Sequence, residues 1–521
     1  MSNSVTPQPG SRGPQSGGTY GQILKSSVLV GGSSVIGILI RIVRTKIMAY
    51  LLGPAGFGLF GIFGSVESLA ESIAGMGVNS SGVRQIAEAV GSRNEERVAQ
   101  TAAVLRRTSV VLGLLGGLVL VVFARQISTL TFGTPARSIS IAVLSLAVLF
   151  TITSAGQAAL IQGMRRIADL ATMNIWGNLF ATLISIPVVY FFRQDGVVWS
   201  LVAVAAMLLL TSWRYSRKIE VRRCSITAAQ VVEETSALLK LGSVFMMGGL
   251  LLSAVAYLIR ILIVRKAGLE AAGLYQSAWT LGGLYVGFIV DAMAADFYPR
   301  LTASASDNAV CNRLVNEQAR VGVLLAGPGV LATLTFAPIA MVLFYSVKFM
   351  AAVEVLRWIC IGTMLRVVTW PMGFILVAKG RRAVFFWCEV ACAGVYAALS
   401  WICVVRWGLN GAGIAFFAYG VFHGVLHYPV VGRISRFRWS ADNYRTGAVY
   451  ALLIAAVCGG FYVLPWLAAD ILGGLLTVAG AIYSLRSLLV LVPSGRLPRP
   501  VRWLTSKVGF LAPPNRDSRG Q

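Results

Sequence analysis

Gly53-Pro-Ala-Gly-Phe-Gly58-Leu-Phe60 and Gly268-Leu-Glu-Ala-Ala-Gly273-Leu-Tyr275 are one short pattern met twice, 215 residues apart. Each follows an apolar run with basic residues near its end: Arg41, Arg44 and Lys46 before the first copy, Arg260, Arg265 and Lys266 before the second. Each then leads into another apolar run. A glycine-rich break between two such runs reads as the turn of a helical hairpin. The recurrence of such a turn after an apolar run with a basic end reads as an internal repeat of the whole arrangement.

The composition fixes the solvent in which these hairpins sit. Of 521 residues, 56% are hydrophobic and 12% charged, with a mean hydropathy of +0.74. Soluble domains carry about 25% charged residues. A spanning helix needs about 20 predominantly apolar residues, so this chain has material for about ten to fifteen. Apolar runs of that length number fourteen: six before the basic linker 214–240, six after it, and two more. The reading is an all-α polytopic membrane protein of about 14 transmembrane helices. Its expected parts are a disordered cytoplasmic tail (1–22), an N-lobe (23–213), the cytoplasmic linker (214–240), a C-lobe (241–432), two C-terminal helices (446–492) and a basic tail (493–521). Six is even, so both halves start on the same side and form parallel repeats about an axis along the membrane normal, which places a site where two lobes meet.

The net charge of +25 would point to a nucleic-acid partner in a soluble protein. Here it follows topology. With a cytoplasmic N-terminus, about 32 of the 45 Lys and Arg fall in cytoplasmic segments, about 11 outside, and Arg260 and Arg366 within spans. Arg214, Arg217, Lys218, Arg222 and Arg223 mark the linker as a contact for anionic lipid. No cleaved leader is evident before the first run, which reads as an uncleaved anchor.

Charges in mid-membrane cost about 2.5–3.5 kcal/mol on insertion scales and therefore ask for a partner or a task. Arg41 and Arg44 are three apart, Glu67 and Glu71 four apart, so each pair shares a helix face. They are read either as mutual partners or as functional groups. Arg41, Arg44, Lys46 and Arg260 form the excess of cations proposed to bind an anionic headgroup, since guanidinium matches phosphate with a two-pronged fork. Arg366 and Glu389 are read as neutralising each other. Asp291, Asp296, Glu67, Glu71 and Glu389 are the candidates for ion coupling or charge pairing. His423 and His427, four apart, have metal-compatible spacing but are read as packed side chains, as are Cys388 and Cys392; no metal or cofactor site is expected. The glycines inside spans are read as close-packing sites, and Pro187, Pro328, Pro338 and Pro371 as points of helix bending.

The chain lacks a Gly-x4-Gly-Lys-[Ser/Thr] loop, and no loop between spans exceeds about 30 residues, too short for a catalytic domain. An enzyme is therefore not expected. Arg44-Thr-Lys46 through Leu52-Gly-Pro-Ala-Gly-Phe-Gly-Leu-Phe60, Gly75-Met-Gly77 and Val83-Arg-Gln-Ile-Ala87 resemble the opening of the polysaccharide flippases, the O-antigen and lipid III type of the multidrug/oligosaccharide-lipid/polysaccharide exporter superfamily. Tyr345-Ser-Val-Lys-Phe349, Leu356-Arg-Trp358, Gly362, Arg366, Ala378-Lys-Gly380 and Glu389 extend the resemblance to about residue 435. It implies a V-shaped, two-lobed flippase. Such a protein moves an undecaprenyl-diphosphate-linked oligosaccharide to the outer leaflet of the bacterial plasma membrane, with polymerase or glycosyltransferase machinery as possible company. It also implies diphosphate contacts for Arg41, Arg44 and Arg260, with Arg265 and Lys266 as alternatives in the second half. The competing expectation is a cation-coupled drug or metabolite exporter of the same fold; a membrane scaffold is a third.

The charge bias predicts that both termini face the cytoplasm. A fluorescent protein that matures only in the cytoplasm will be bright when fused at either end; a dark fusion that is nevertheless inserted reverses the topology.

Overall fold

In lipid every backbone polar group must be bonded within the protein, and the helix does this locally. A computed structural model describes residues 16–92, 94–219 and 227–491, with the side chains of 16–31, 33–34, 228–229, 244–245, 248, 285 and 288–296 left out of the description. The described residues are almost wholly helical: α1 (Ser16–Ala74), α2 (Val78–Gly91), α3 (Glu95–Val122), α4 (Ala124–Phe132), α5 (Ser138–Gly163), α6 (Ile167–Phe192), α7 (Gly196–Ser216), α8 (Ala228–Ala303), α9 (Asn308–Thr335), α10 (Ala337–Phe344), α11 (Val353–Ala378), α12 (Arg382–Ser435), α13 (Ala441–Val463) and α14 (Trp466–Leu491). Three of these break at one glycine each: α1 at Gly53, α8 at Gly268 and α12 at Gly408. Counting both arms of those three and the single helices α3, α5, α6, α7, α9, α11, α13 and α14, the described residues hold fourteen long arms. Eight helices are long and apolar enough to cross a membrane as they stand, and nine if the bent pair α9–α10 counts as one.

The two quoted turns are alike in backbone. Gly53 has φ 65°, ψ −178° and Gly268 has φ 87°, ψ 175°. Both values lie where a Cβ is strongly disfavoured, so glycine is required. The same offset of 215 recurs further on. Arg193 (φ 51°, ψ −127°) closes α6, and Gly408 (φ 55°, ψ −135°) breaks α12. Arg165 and Gly380, also 215 apart, share positive φ of 57° and 71°. A Cβ added to Gly196 would meet the Val188 carbonyl, and one added to Gly411 the Cys403 carbonyl, again the same pair shifted by 215.

The chain folds as two compact units. The first comprises Met1–Ile47, Glu67–Ser128 and Ala136–Gly249; the second comprises Met48–Val66, Thr129–Pro135 and Leu250–Gln521. In the first, α2, α3 and α5 pack where small residues let helices approach: Gly113 lies on Leu149, Gly156 on Ser109, Gly163 on Ile86. In the second, the two turns meet. A Cβ on Gly58 would overlap the Leu269 carbonyl and sit 2.9 Å from Gly273 N; a Cβ on Gly273 would overlap the Pro54 carbonyl and sit 2.9 Å from Gly58 N. Around that junction Phe57 stacks on Phe60 and meets Tyr345 and Phe349 edge-on, all with ring centroids 5.6–5.8 Å apart. Arg357 on α11 pairs with Glu354 at 2.7 Å and lies over the Phe461 ring.

Several boundaries differ from those read in the sequence. α1 starts at Ser16, within the segment 1–22 read as a tail, because each residue added to an existing helix gains one backbone bond without a new nucleation. For the same reason α8 starts at Ala228, inside the linker 214–240; there Leu238 is buried and Thr235 is 3.4 Å from Thr108. The apolar run 321–345, long enough to read as one span, is instead broken by an 85° bend between α9 and α10. Pro338 sits in the first turn of α10, where its missing N–H costs nothing. The tail 493–521 and Arg222 and Arg223 lie outside the described residues.

Gly58→Ala and Gly273→Ala are expected to lower the unfolding temperature in detergent, since backbone atoms must separate to admit each methyl, at a cost of at least about 1–3 kcal/mol. Gly64→Ala, on the same arm with nothing within 4 Å of the added carbon, will be neutral or stabilising. Equal melting of all three would remove the turn contact as a determinant of stability.

Candidate functional site

Arg260 lies on α8 one helical arm before the Gly268 break and is buried, with 7% of its surface exposed. Its fork is satisfied by neutral acceptors: Nε and Nη2 both donate to Gln276 Oε1, at 3.0 and 2.8 Å, and Nη1 donates to the Ala256 carbonyl at 2.9 Å. The Gly268 turn makes this possible, because it folds the second arm back and brings a residue sixteen positions on to the same level. Gln276 is itself held by donating to Thr280 Oγ1 at 3.1 Å, and the Tyr275 ring lies 5.8 Å from the guanidinium. Among the described residues no carboxylate pairs with Arg260. A buried cation is normally paired, so this site carries charge that the described residues leave uncompensated.

The alternatives to Arg260 are engaged elsewhere. Arg265 donates to the Thr129 and Leu130 carbonyls at the end of α4, the role of a C-terminal cap. Lys266 stands 5.4 Å from the Trp401 ring centre. At the offset of 215, Arg260 falls on Thr45, the residue beside Arg44.

In the first unit Arg41 and Lys46 are exposed and Arg44 is half-buried. Glu67 accepts a hydrogen bond from Thr151 Oγ1 at 3.1 Å. Glu71 borders a cavity of about 240 Å³ with Ser72, Asn79, Ser109 and Met246. None of Arg41, Arg44, Glu67 and Glu71 is in an ion pair among the described residues. Helical sharing of a face puts Arg41 beside Arg44 and Glu67 beside Glu71, like with like.

Glu389 and Arg366, read as partners, make no ion pair among the described residues. Glu389 Oε1 instead faces His427 Nε2 at 3.7 Å and His423 Nε2 at 3.9 Å. The reason is the Gly408 break: Glu389 is nineteen residues before it and His427 nineteen after it, so the returning arm sets them level. The side chains of Asp291 and Asp296 lie outside the described residues. Gln276 was missed in sequence; its signal was a lone amide within an apolar arm, placed just after the repeated turn.

The described residues are those of an all-helical, polytopic membrane protein, and comparison with known proteins narrows that class. Residues 47–354, more than half of the chain, match the model of a family described as polysaccharide biosynthesis protein, and the chain belongs to that family. The lipid III flippase of Escherichia coli (strain K12) is 23% identical over 376 residues, 71% of this chain and 88% of the relative. Among solved structures, the lipid II flippase MurJ in an inward closed conformation superposes with a TM-score of 0.65 at 12% identity, covering 89% of this chain and all of that one. An inward-facing multidrug resistance MATE family transporter of the MOP superfamily gives 0.63 at 17% identity, covering 77% and 96%. The resemblance carried by the sequence motifs and the all-α polytopic fold are thus borne out.

Gln276→Leu removes the acceptor of two charge-assisted bonds and is expected to destabilise by about 2–3 kcal/mol. Adding Arg260→Met should restore part of that loss, because it removes the stranded charge. Thermal melting of the single and double variants checks the coupling; simple additivity would show that the pair is not an energetic unit.

Proposed function

We propose that this chain is a flippase that carries a polyprenyl-diphosphate-linked oligosaccharide from the cytoplasmic to the outer leaflet of the bacterial plasma membrane, for cell-surface polysaccharide biosynthesis. The observation that carries the reading is Arg260: a buried guanidinium held in position by neutral groups keeps its positive charge for a ligand. A diphosphate supplies the complementary charge and the oxygen geometry of the fork. Arg41 and Arg44 on one face of a helix, with Lys46 beyond them, give the first unit cations of its own. Membership in a polysaccharide biosynthesis family and the likeness to a lipid III flippase support the same substrate class.

No bond is made or broken in such a task, which is transport and not catalysis. Translocation proceeds by alternating access. The termini lie in the cytoplasm, where the charge bias puts them. Outward movement of an anion from a negative interior is downhill by about 2.3 kcal/mol per charge per 100 mV. Glycosyltransferases that assemble the oligosaccharide and a polymerase that extends it are the expected functional neighbours.

A second reading, a cation-coupled exporter of soluble compounds, rests on Glu67 and Glu71, two carboxylates outside any ion pair among the described residues. The two readings separate in reconstituted vesicles. With a diphosphate-linked polyprenyl oligosaccharide as cargo, Arg260→Ala and Arg41→Ala/Arg44→Ala are expected to slow translocation at least about tenfold, the loss of about 1.4 kcal/mol or more of binding. Glu67→Gln and Glu71→Gln should leave most of it. Undiminished movement in the arginine variants, with loss in the glutamine variants, would transfer the assignment to the exporter.

A further inference from the structure

The Gly408 hairpin assembles a cluster that neither arm of α12 holds alone. Cys392 comes from the first arm, His423 and His427 from the second, and their ligating atoms lie within 4.8 Å of one another. All three are buried. Glu389, one turn before Cys392, brings Oε1 to 3.7 and 3.9 Å from the two Nε2 atoms. The rings of His423 and His427 stack with centroids 4.0 Å apart, and both Nε2 atoms turn toward the same Glu389 oxygen.

The other ring nitrogens are already occupied. His427 Nδ1 lies 3.0 Å from the His423 carbonyl, which can only accept, so Nδ1 carries the proton and Nε2 presents a lone pair. His423 Nδ1 is 3.0 Å from Thr369 Oγ1 on α11. An outward imidazole nitrogen anchored to a carbonyl or hydroxyl, leaving the inner one bare, is the usual second layer of a metal-bound histidine. His427 is 0% exposed, and its Nε2 has no hydrogen-bond partner. A bare lone pair in the interior is costly, and one aimed at a carboxylate oxygen from 3.7 Å, too far for a hydrogen bond, gains nothing from it. A cation between them satisfies both.

We propose that Cys392, His423, His427 and Glu389 form a binding site for a divalent transition-metal cation of the zinc class, which staples the two arms of α12 together. Two imidazoles, a thiolate and a carboxylate are the donor types that zinc takes in fourfold coordination, and the nitrogen and sulfur donors select it over magnesium or calcium. Because the Cys392, His423 and His427 ligating atoms are no more than 4.8 Å apart, some point lies within about 2.8 Å (4.8/√3) of all three. Bond lengths of about 2.0–2.3 Å then ask each side chain to close by about half an ångström or a little more. Binding releases one proton: the Cys392 thiol gives up its hydrogen as the sulfur–metal bond forms, and no electron changes hands. Thiolate and Glu389 carboxylate together balance the dication, while Arg366, within electrostatic range of Glu389 and His423, leaves the site net positive and makes the thiolate necessary. The site is independent of the diphosphate reading.

The test uses the full chain in detergent, stripped with a chelator and titrated with cobalt(II). The expected result is one cobalt per chain with the visible absorption of tetrahedral cobalt and a thiolate-to-metal band in the near ultraviolet, both lost on adding zinc. Cys392→Ser should abolish the ultraviolet band, and His427→Ala should weaken binding at least about tenfold, the lower limit even for losing a supporting group. Zinc should raise the unfolding temperature of the unaltered chain and not that of His427→Ala. The proposal is overturned if the unaltered chain retains no stoichiometric metal and melts alike with and without zinc. Binding that persists unchanged in both variants equally overturns it, since the metal would then sit elsewhere.

Discussion

The second unit is organised around a place where two backbones come closer than side chains permit. At Gly58 and Gly273 each peptide fills the space that a Cβ would take beside the other. Everything adjacent is set by that approach: the two broken helices reverse at Gly53 and Gly268, and the aromatic cluster of Phe57, Phe60, Tyr345 and Phe349 closes over the junction. In a membrane interior, where apolar surface gains nothing from leaving water, close packing of this kind is a principal source of cohesion. The residue sixteen after Arg260 reaches it only because the arm returns at Gly268.

Charge is arranged by the same logic. Arg357 and Glu354, Arg166 and Asp169, and Arg320 and Asp442 are compensated locally. Arg265 spends its donors on the end of a helix. Against that background Arg260 stands apart, since its environment orients the guanidinium without cancelling its charge. Glu389 stands apart as well, turned toward two imidazoles with the Arg366 guanidinium within electrostatic range. The helical hairpin is the common device: a break at one glycine sets residues at equal distances before and after it side by side.

The fold class and the repeat were legible because both rest on patterns local to the chain, apolar run length and the twice-met glycine turn. Residue spacing within one helix was equally legible, and it put Arg41 with Arg44 and Glu67 with Glu71. What spacing could not supply was which face of one arm meets which face of the next. Opposite charge joins Arg366 with Glu389, and the count from Gly408 adds His427 to the groups Glu389 faces. Cys392 and His423 were read as packing for the same reason, although they stand sixteen before and fifteen after the same glycine. The bend before α10 escaped notice because Phe336 and Ala337 are as apolar as their neighbours; only Pro338 marked the place.

The contact at Gly58 and Gly273 maps onto itself when 215 is added or subtracted, as do the backbone angles at Gly53 and Gly268 and at Arg193 and Gly408. A self-complementary contact is what two copies of one polypeptide make across a twofold axis. An ancestor of half this length, bearing a single such turn, would therefore have dimerised through it, and duplication with fusion would have tethered the two copies. Once tethered, the halves were free to diverge. Proline at position 54 corresponds to leucine at 269, and Arg260 stands where the other copy has threonine, so an assembly that began symmetric acquired a buried charge on one side alone.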